Sequence, residues 1–208
     1  MSIGDAEIKT QERVIRFFKD PEILGYQYIG NLSDYQNKNI KEDRLRQYLR
    51  LKGYADKLID AAVMQLQQEA GNLSRGVYDA NKTVYSRLKY GIPVSESPEK
   101  PPVTVELIDE ANPLNNDFAI AEEVTVVEQQ EKRPDLVIYL NGIAVAVIEL
   151  KRSSISVSEG IRQNLTNQKD SFIRGFFTTM QFCMAGNESE GLRYGTLLTG
   201  EKFYMEWK

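Results

Sequence analysis

The chain has 208 residues, 41% of them hydrophobic and 27% charged, the balance of a soluble globular protein rather than a disordered one. One cysteine and no histidine exclude Ser-His-Asp and Cys-His triads, histidine-based nuclease centres and a tetrahedral zinc shell. The net charge of −4 leaves nucleic acid open as a partner, because a cleft can be locally basic on an acidic chain.

The first predicted element is an amphipathic helix from Thr10 to Phe18, with Val14, Ile15, Phe17 and Phe18 on its buried face. Pro21 closes it. Helices are also predicted over Ile40–Leu51, Ala55–Ala70 and Ala80–Tyr90, with Gly53 and Gly91 as breaks. Their apolar stripes read as core, so residues 1–92 are expected to form a helical region packed on the rest. Pro93, Pro98, Pro101 and Pro102, with Ser95 and Ser97, read as a stiff polar connection.

Beyond it the pattern becomes alternating or continuously apolar. Strands are predicted over Val103–Ile108, Phe118–Val127, Leu136–Leu140 and Ile143–Leu150. A helix follows over Ser158–Ile173 with Ser158 as its N-cap, then strands over Phe176–Met184, Tyr194–Thr199 and Lys202–Trp207. The expected fold class is α/β: a mixed central sheet flanked by helices, its core spanning residues 103–208. The longest apolar run, Ile143–Ile148, is too short to cross a bilayer, and Ser2–Lys9 is too polar for a signal peptide. Cys183 has no disulfide partner within the chain and reads as core filler, which suits a reducing cytoplasm. No GxxxxGK[ST] phosphate loop is present, so ATP hydrolysis of that kind is not expected of these residues.

The chemistry concentrates between Arg133 and Lys151. Ile143–Ile148 is apolar on both faces, as in a central covered strand, yet the run ends in Glu149 and Lys151. Residues two apart on a strand share a face, so these two charges project together while Leu150 points back to the core. Asp135 opens the preceding strand, and Asn141-Gly142 turns the chain between them. A plain two-residue turn would set Asp135 opposite Ile148, leaving Glu149 on the wrong face. A three-residue loop, or an equivalent bulge, is therefore expected.

Two carboxylates converging at a sheet edge make a hard-oxygen site for Mg²⁺, with Mn²⁺ as a substitute. Asp135, Glu149 and the carbonyl of Leu150 would be ligands. Lys151 would orient or deprotonate the attacking water and touch the phosphate. The bland alternative is a structural salt bridge between Glu149 and Lys151.

Pro134-Asp135, a hairpin, then Glu149 and Lys151 match the PD…ExK nuclease pattern. With Asn115-Asn116-Asp117-Phe118, Asn141-Gly142, Glu159-Gly160-Ile161-Arg162-Gln163-Asn164 and Ala185-Gly186-Asn187, the chain resembles the N-terminal nuclease part of type I restriction enzyme R subunits. The resemblance implies a restriction-endonuclease-like core and magnesium-dependent cutting of duplex DNA. It also implies an ATP-driven motor elsewhere in the enzyme, with methylation and specificity subunits as partners. Many relatives carry QxxxY after the catalytic lysine; here Gln163 fits the first position, as an auxiliary residue, and Asn167 replaces the tyrosine. Gln168 is a weaker substitute, and Glu12 a candidate for a further glutamate from the first helix. Lys151, Arg152, Arg162 and Lys169, with Arg174, are candidate phosphate contacts. The alternatives are another nuclease of the PD…ExK pattern, RecB-like or a repair enzyme, and an idle subunit-docking domain.

Overall fold

The computed structural model describes residues 3–207. Met1, Ser2 and Lys208, at the ends of the expected helical region and core, lie outside the described residues. Helix α1 (Ile3–Lys19) leads to strand β1 (Gln27–Asn31), followed by α2 (Glu42–Leu51), α3 (Asp56–Gly71) and α4 (Val77–Tyr90). Then come β2 (Ile92–Val94), β3 (Val103–Val105), β4 (Phe118–Glu122), β5 (Val126–Val127), β6 (Glu131–Lys132), β7 (Leu136–Leu140) and β8 (Ile143–Leu150). Helix α5 (Val157–Asn167), a 3₁₀ segment (Arg174–Thr179), β9 (Phe182–Asn187), β10 (Gly191–Gly195) and β11 (Met205–Glu206) complete the order.

Seven strands form one mixed sheet in the order β1-β4-β7-β8-β9-β10-β11. The β1–β4 and β8–β9 pairs are parallel and the others antiparallel. The architecture is the mixed α/β sheet expected, compatible with a restriction-endonuclease-like fold. One face, carrying Ile120, Leu136, Ile138, Ile148 and Met184, packs against Ile15 of α1. The other carries Val137, Tyr139, Val147 and Cys183 against Phe176 and Phe177 of the 3₁₀ segment. Helices α2, α3 and α4 bury Leu45, Leu49, Ile59, Leu66 and Val84 in a cluster that includes Ile92, Val105 and Ile143. Strand β8 is thus covered on both sides. No helix among the described residues is long and apolar enough to cross a membrane.

The β7–β8 hairpin departs from the three-residue loop. Leu140 pairs with Ile143, so the turn has two residues, with Asn141 at φ 52° and Gly142 at φ 82°. Both angles are left-handed, as a type I′ turn requires. A Cβ on Gly142 would lie 2.6 Å from the Lys41 carbonyl oxygen, so the approach of the α2 entry also demands glycine there. The register then shifts: Tyr139 pairs with Ala144 but Ile138 with Ala146, leaving Val145 as the extra residue of a bulge. The face inversion therefore happens inside the strand. Ala144 and Val147, three residues apart, both reach the same core cluster.

Other boundaries also moved. The predicted strand from Phe118 breaks after Glu122, because Glu123 takes the left-handed conformation at φ 51°. Phe176 and Phe177 are buried from a 3₁₀ segment rather than a strand, since a short apolar run satisfies burial in either form. The Ser158 cap is displaced to Ser156, whose side chain accepts from the Ser158 amide. Helix α5 ends at Asn167, and strand β1 went unforeseen because its Gln-Tyr-Ile-Gly-Asn sequence is polar and half-exposed.

Candidate functional site

The bulge decides the site. Beyond it Leu136 pairs with Ile148, so the register carries Asp135 opposite Glu149, not opposite Val147 as the three-residue loop would have it. Alternation places Asp135 with Val137, and Glu149 with Val147, on the face that α5 covers. The Leu150 amide donates to Asp135 Oδ2 at 2.6 Å, which fastens the aspartate across the hairpin. Lys151 follows as the strand ends: its amide donates to the Gly186 carbonyl at 2.9 Å and its Nζ to the Leu150 carbonyl at 3.0 Å.

Glu149 is fully buried at the end of a central strand. Gln163 Nε2 donates to Glu149 Oε2 at 2.6 Å, while no donor reaches Oε1. Burial pushes the Glu149 carboxyl well above its ordinary range, and the neighbouring Asp135 carboxylate pushes it further; Lys151 opposes both. A buried carboxylate facing a half-buried one is satisfied by a shared proton or by a cation.

Gly160 makes the Gln163 contact possible. A Cβ there would lie 2.9 Å from Ala185 Cβ and 3.5 Å from Glu149 Cβ, so only glycine lets α5 lie this close to β8 and β9. Gln163 then follows nearly one turn along the helix. A glycine inside a helix costs about 1 kcal/mol against alanine, and that was the available signal for close packing.

The other candidates separate. Asn167, at the expected tyrosine position, is buried. Gln168 is committed elsewhere: it donates to Cys183 Sγ at 3.6 Å and accepts from the Leu198 amide at 2.7 Å. Cys183 is buried, and burial pushes its thiol up to about 12, as suits core filler. Glu12 is exposed, and its neighbour Gln11 is the buried α1 residue that reaches Glu122 and Glu123. Arg152 sits half-exposed in the loop after β8. Arg162 is already held by Glu201 and Glu159, Arg174 by Asp170, and Lys169 lies exposed past the end of α5.

A divalent cation fits the donor set. Asp135 and Glu149 offer carboxylate oxygens, one of them buried without a donor, and Leu150 offers a carbonyl with a second lone pair. Among the described residues no group of three or more acidic, cysteine or histidine side chains is arranged to hold a metal, so two carboxylates would share the shell with oxygen from solvent or substrate.

Comparison with known proteins gives a consistent family. The chain is 33% identical over 97 residues to a putative type I restriction enzyme MjaIXP endonuclease subunit of Methanocaldococcus jannaschii, covering 43% of this chain and 9% of that protein. It is 29% identical over 85 residues to the type I restriction enzyme SsaAORF53P endonuclease subunit of Staphylococcus saprophyticus, covering 41% and 9%. The match thus takes in less than a tenth of either relative's length. The family model of the type I restriction enzyme R protein N terminus matches residues 7–203, and the chain belongs to that family.

Proposed function

We propose that this region is the DNA-cutting centre of a type I restriction enzyme, hydrolysing phosphodiester bonds of duplex DNA with Mg²⁺ or Mn²⁺ held by Asp135, Glu149 and the Leu150 carbonyl. The observation that carries the reading is the buried Glu149 oxygen that meets no donor and faces a second carboxylate. A simple ion pair between Glu149 and Lys151 does not account for that atom, whereas a cation held between the two carboxylates would match it. The cation, when bound, stabilises negative charge on the phosphate and completes the match that the protein leaves open.

The chain's own groups do the rest. Gln163 fixes the rotamer of Glu149 by holding Oε2. The Leu150 amide does the same for Asp135. Lys151, whose Nζ donates to the Leu150 carbonyl, would orient or deprotonate the attacking water and contact the phosphate. Arg152, Arg162 and Lys169 are the proposed contacts to the DNA backbone, Arg162 only by exchanging carboxylate partners for phosphate. ATP-driven translocation and the methylation and specificity subunits belong, in this reading, to the remainder of the enzyme, which works in the cytoplasm.

The test is cutting of supercoiled DNA with Mg²⁺ or Mn²⁺ by a full restriction complex carrying Asp135→Ala, Glu149→Ala or Lys151→Ala in this region. Each should lose cutting by at least ~100-fold while ATP hydrolysis persists. Undiminished cutting by any of the three refutes its role. Undiminished cutting by all three leaves a docking domain.

A further inference from the structure

Glu123 stands in a place that the roles above leave unused. Its amide donates to the Asp135 carbonyl at 2.8 Å, so it lies beside Asp135 across β4 and β7 as Asp135 lies opposite Glu149 across β7 and β8. Three acids thus stand in file along one edge of three neighbouring strands. Glu123 holds the left-handed conformation at φ 51°, which glutamate adopts at a cost and which glycine or asparagine would supply more easily. A turn alone would not call for a glutamate.

The carboxylate of Glu123 is restrained from two sides. Arg133 Nε lies 2.6 Å from Oε2, and Gln11 Nε2 of α1 donates to Oε1 at 3.2 Å. The independent sign of a ligand is Glu149 Oε1, fully buried and unmatched at the far end of the same file. Among the described residues no three acidic groups are close enough to grip one ion directly, so Glu123 would act on a cation beside Asp135 only through solvent.

We propose that Glu123 is a third acidic group of the metal centre, a positioning residue that draws and holds the cation through intervening solvent, with Arg133 as the counter-charge that limits it. The proposal rests on the reading of Asp135 and Glu149 as a metal-binding pair. It predicts opposite effects from the two halves of one ion pair. Removing Glu123 weakens cation binding, whereas removing Arg133 strengthens it.

The test is Mn²⁺ alone, titrated into the 208-residue chain and followed by the spin-resonance signal of the free ion. Glu123→Gln should weaken binding about tenfold, the scale of outer partners of metal ligands. Glu123→Asn, which relieves the backbone while removing the carboxylate's reach, should weaken it as well and guards against misfolding. Arg133→Gln should tighten it several-fold. Equal effects of the same sign from Glu123→Gln and Arg133→Gln, or none from Glu123→Gln, reduce Glu123 to a structural partner and overturn the proposal. Native affinity in Glu149→Gln, or no saturable binding by the native chain, overturns the metal-pair reading and this proposal with it.

Discussion

The two ends of the β7–β8 hairpin bury polar groups in opposite ways. At the turn end Asn141 is fully buried and fully matched: its Oδ1 accepts from the Asp117 amide at 2.7 Å, and its Nδ2 donates to the Leu107 carbonyl and Asn116 Oδ1, both at 2.8 Å. Asn116 in turn accepts from the Asp109 amide and donates to the Asp109 carbonyl. Asp109 takes Lys52 and Asn115 on one oxygen and the Asn112 amide on the other. At the site end Glu149 is equally buried, and one of its oxygens has no donor. Saturated polar networks specify structure, whereas an unsaturated buried group needs a further partner to account for it, and under the function proposed above that partner is the cation.

The sharpest way to break this contrast is Asn141→Ala. It would leave the Asp117 amide, the Leu107 carbonyl and one lone pair of Asn116 unmatched, and would force alanine to φ 52°. The expected loss is about 3–5 kcal/mol of stability, read from urea unfolding. A loss below about 1 kcal/mol would show that water replaces the side chain, and the turn end would not be the rigid anchor described.

Glu149→Gln should act with the other sign. Replacing a buried, poorly matched carboxyl by an amide should stabilise the metal-free chain at neutral pH by about 1–3 kcal/mol, while removing cutting. The gain has a pH signature. Glu149 has a folded pKa raised above the ordinary 4.5, so its stabilising protonated form is fully present below 4.5 and lost as pH rises through the raised value. The advantage of the variant should therefore grow with pH above 4.5 and vanish below it. Millimolar Mg²⁺ should raise the melting temperature of the native chain only. A variant less stable than native at pH 8 would mean that Glu149 is structurally satisfied after all.

Asp109 supplies the mirror image. Lys52, Asn115 and the Asn112 amide hold its carboxyl down to about 2, so it stabilises the fold above 3.8 and that contribution is lost as pH falls toward 2. Thermal melts of Asp109→Asn should lie below native at pH 6 and converge with it between pH 4 and 2. Equal gaps across that range would remove Asp109 from the electrostatics of the turn end.

The two ends were not equally legible in the sequence. Asn141-Gly142 announces its turn, Glu149 and Lys151 stand out because charges end an otherwise apolar strand, and Asp135 stands out because a charge opens the strand before it. The bulge at Val145 carries no comparable mark: Ala144, Val145 and Ala146 are all small or aliphatic, and any could be the extra residue. The need for an inversion of faces was deducible; its position depends on packing from both sides. A single position on α1 separates exposed Glu12 from buried Gln11, because each helical step turns the side chain by about 100°. Asp117 was visible only as part of a motif, and its structural role rests on Arg44, which grips it in two places from a remote helix.

The smallest effects belong to surface charges, where neither saturation nor burial applies. Arg152 is half-exposed in the loop directly after Lys151. Arg162 is exposed on α5 and already bonded by both oxygens of Glu201, at 2.8 and 3.0 Å, and by Glu159. Bringing Arg162 to DNA exchanges one set of charge-assisted bonds for another, so little affinity should be gained. In binding measured against salt concentration, Arg152→Ala should lower the slope of log K on log salt by about 1, the worth of one phosphate contact. Arg162→Ala should lower it by less than about half of that and leave the melting temperature within about 2 °C of native. The reverse order would mean that DNA lies along α5 rather than across the strand edge, and that Glu159 and Glu201 yield Arg162 when the backbone arrives.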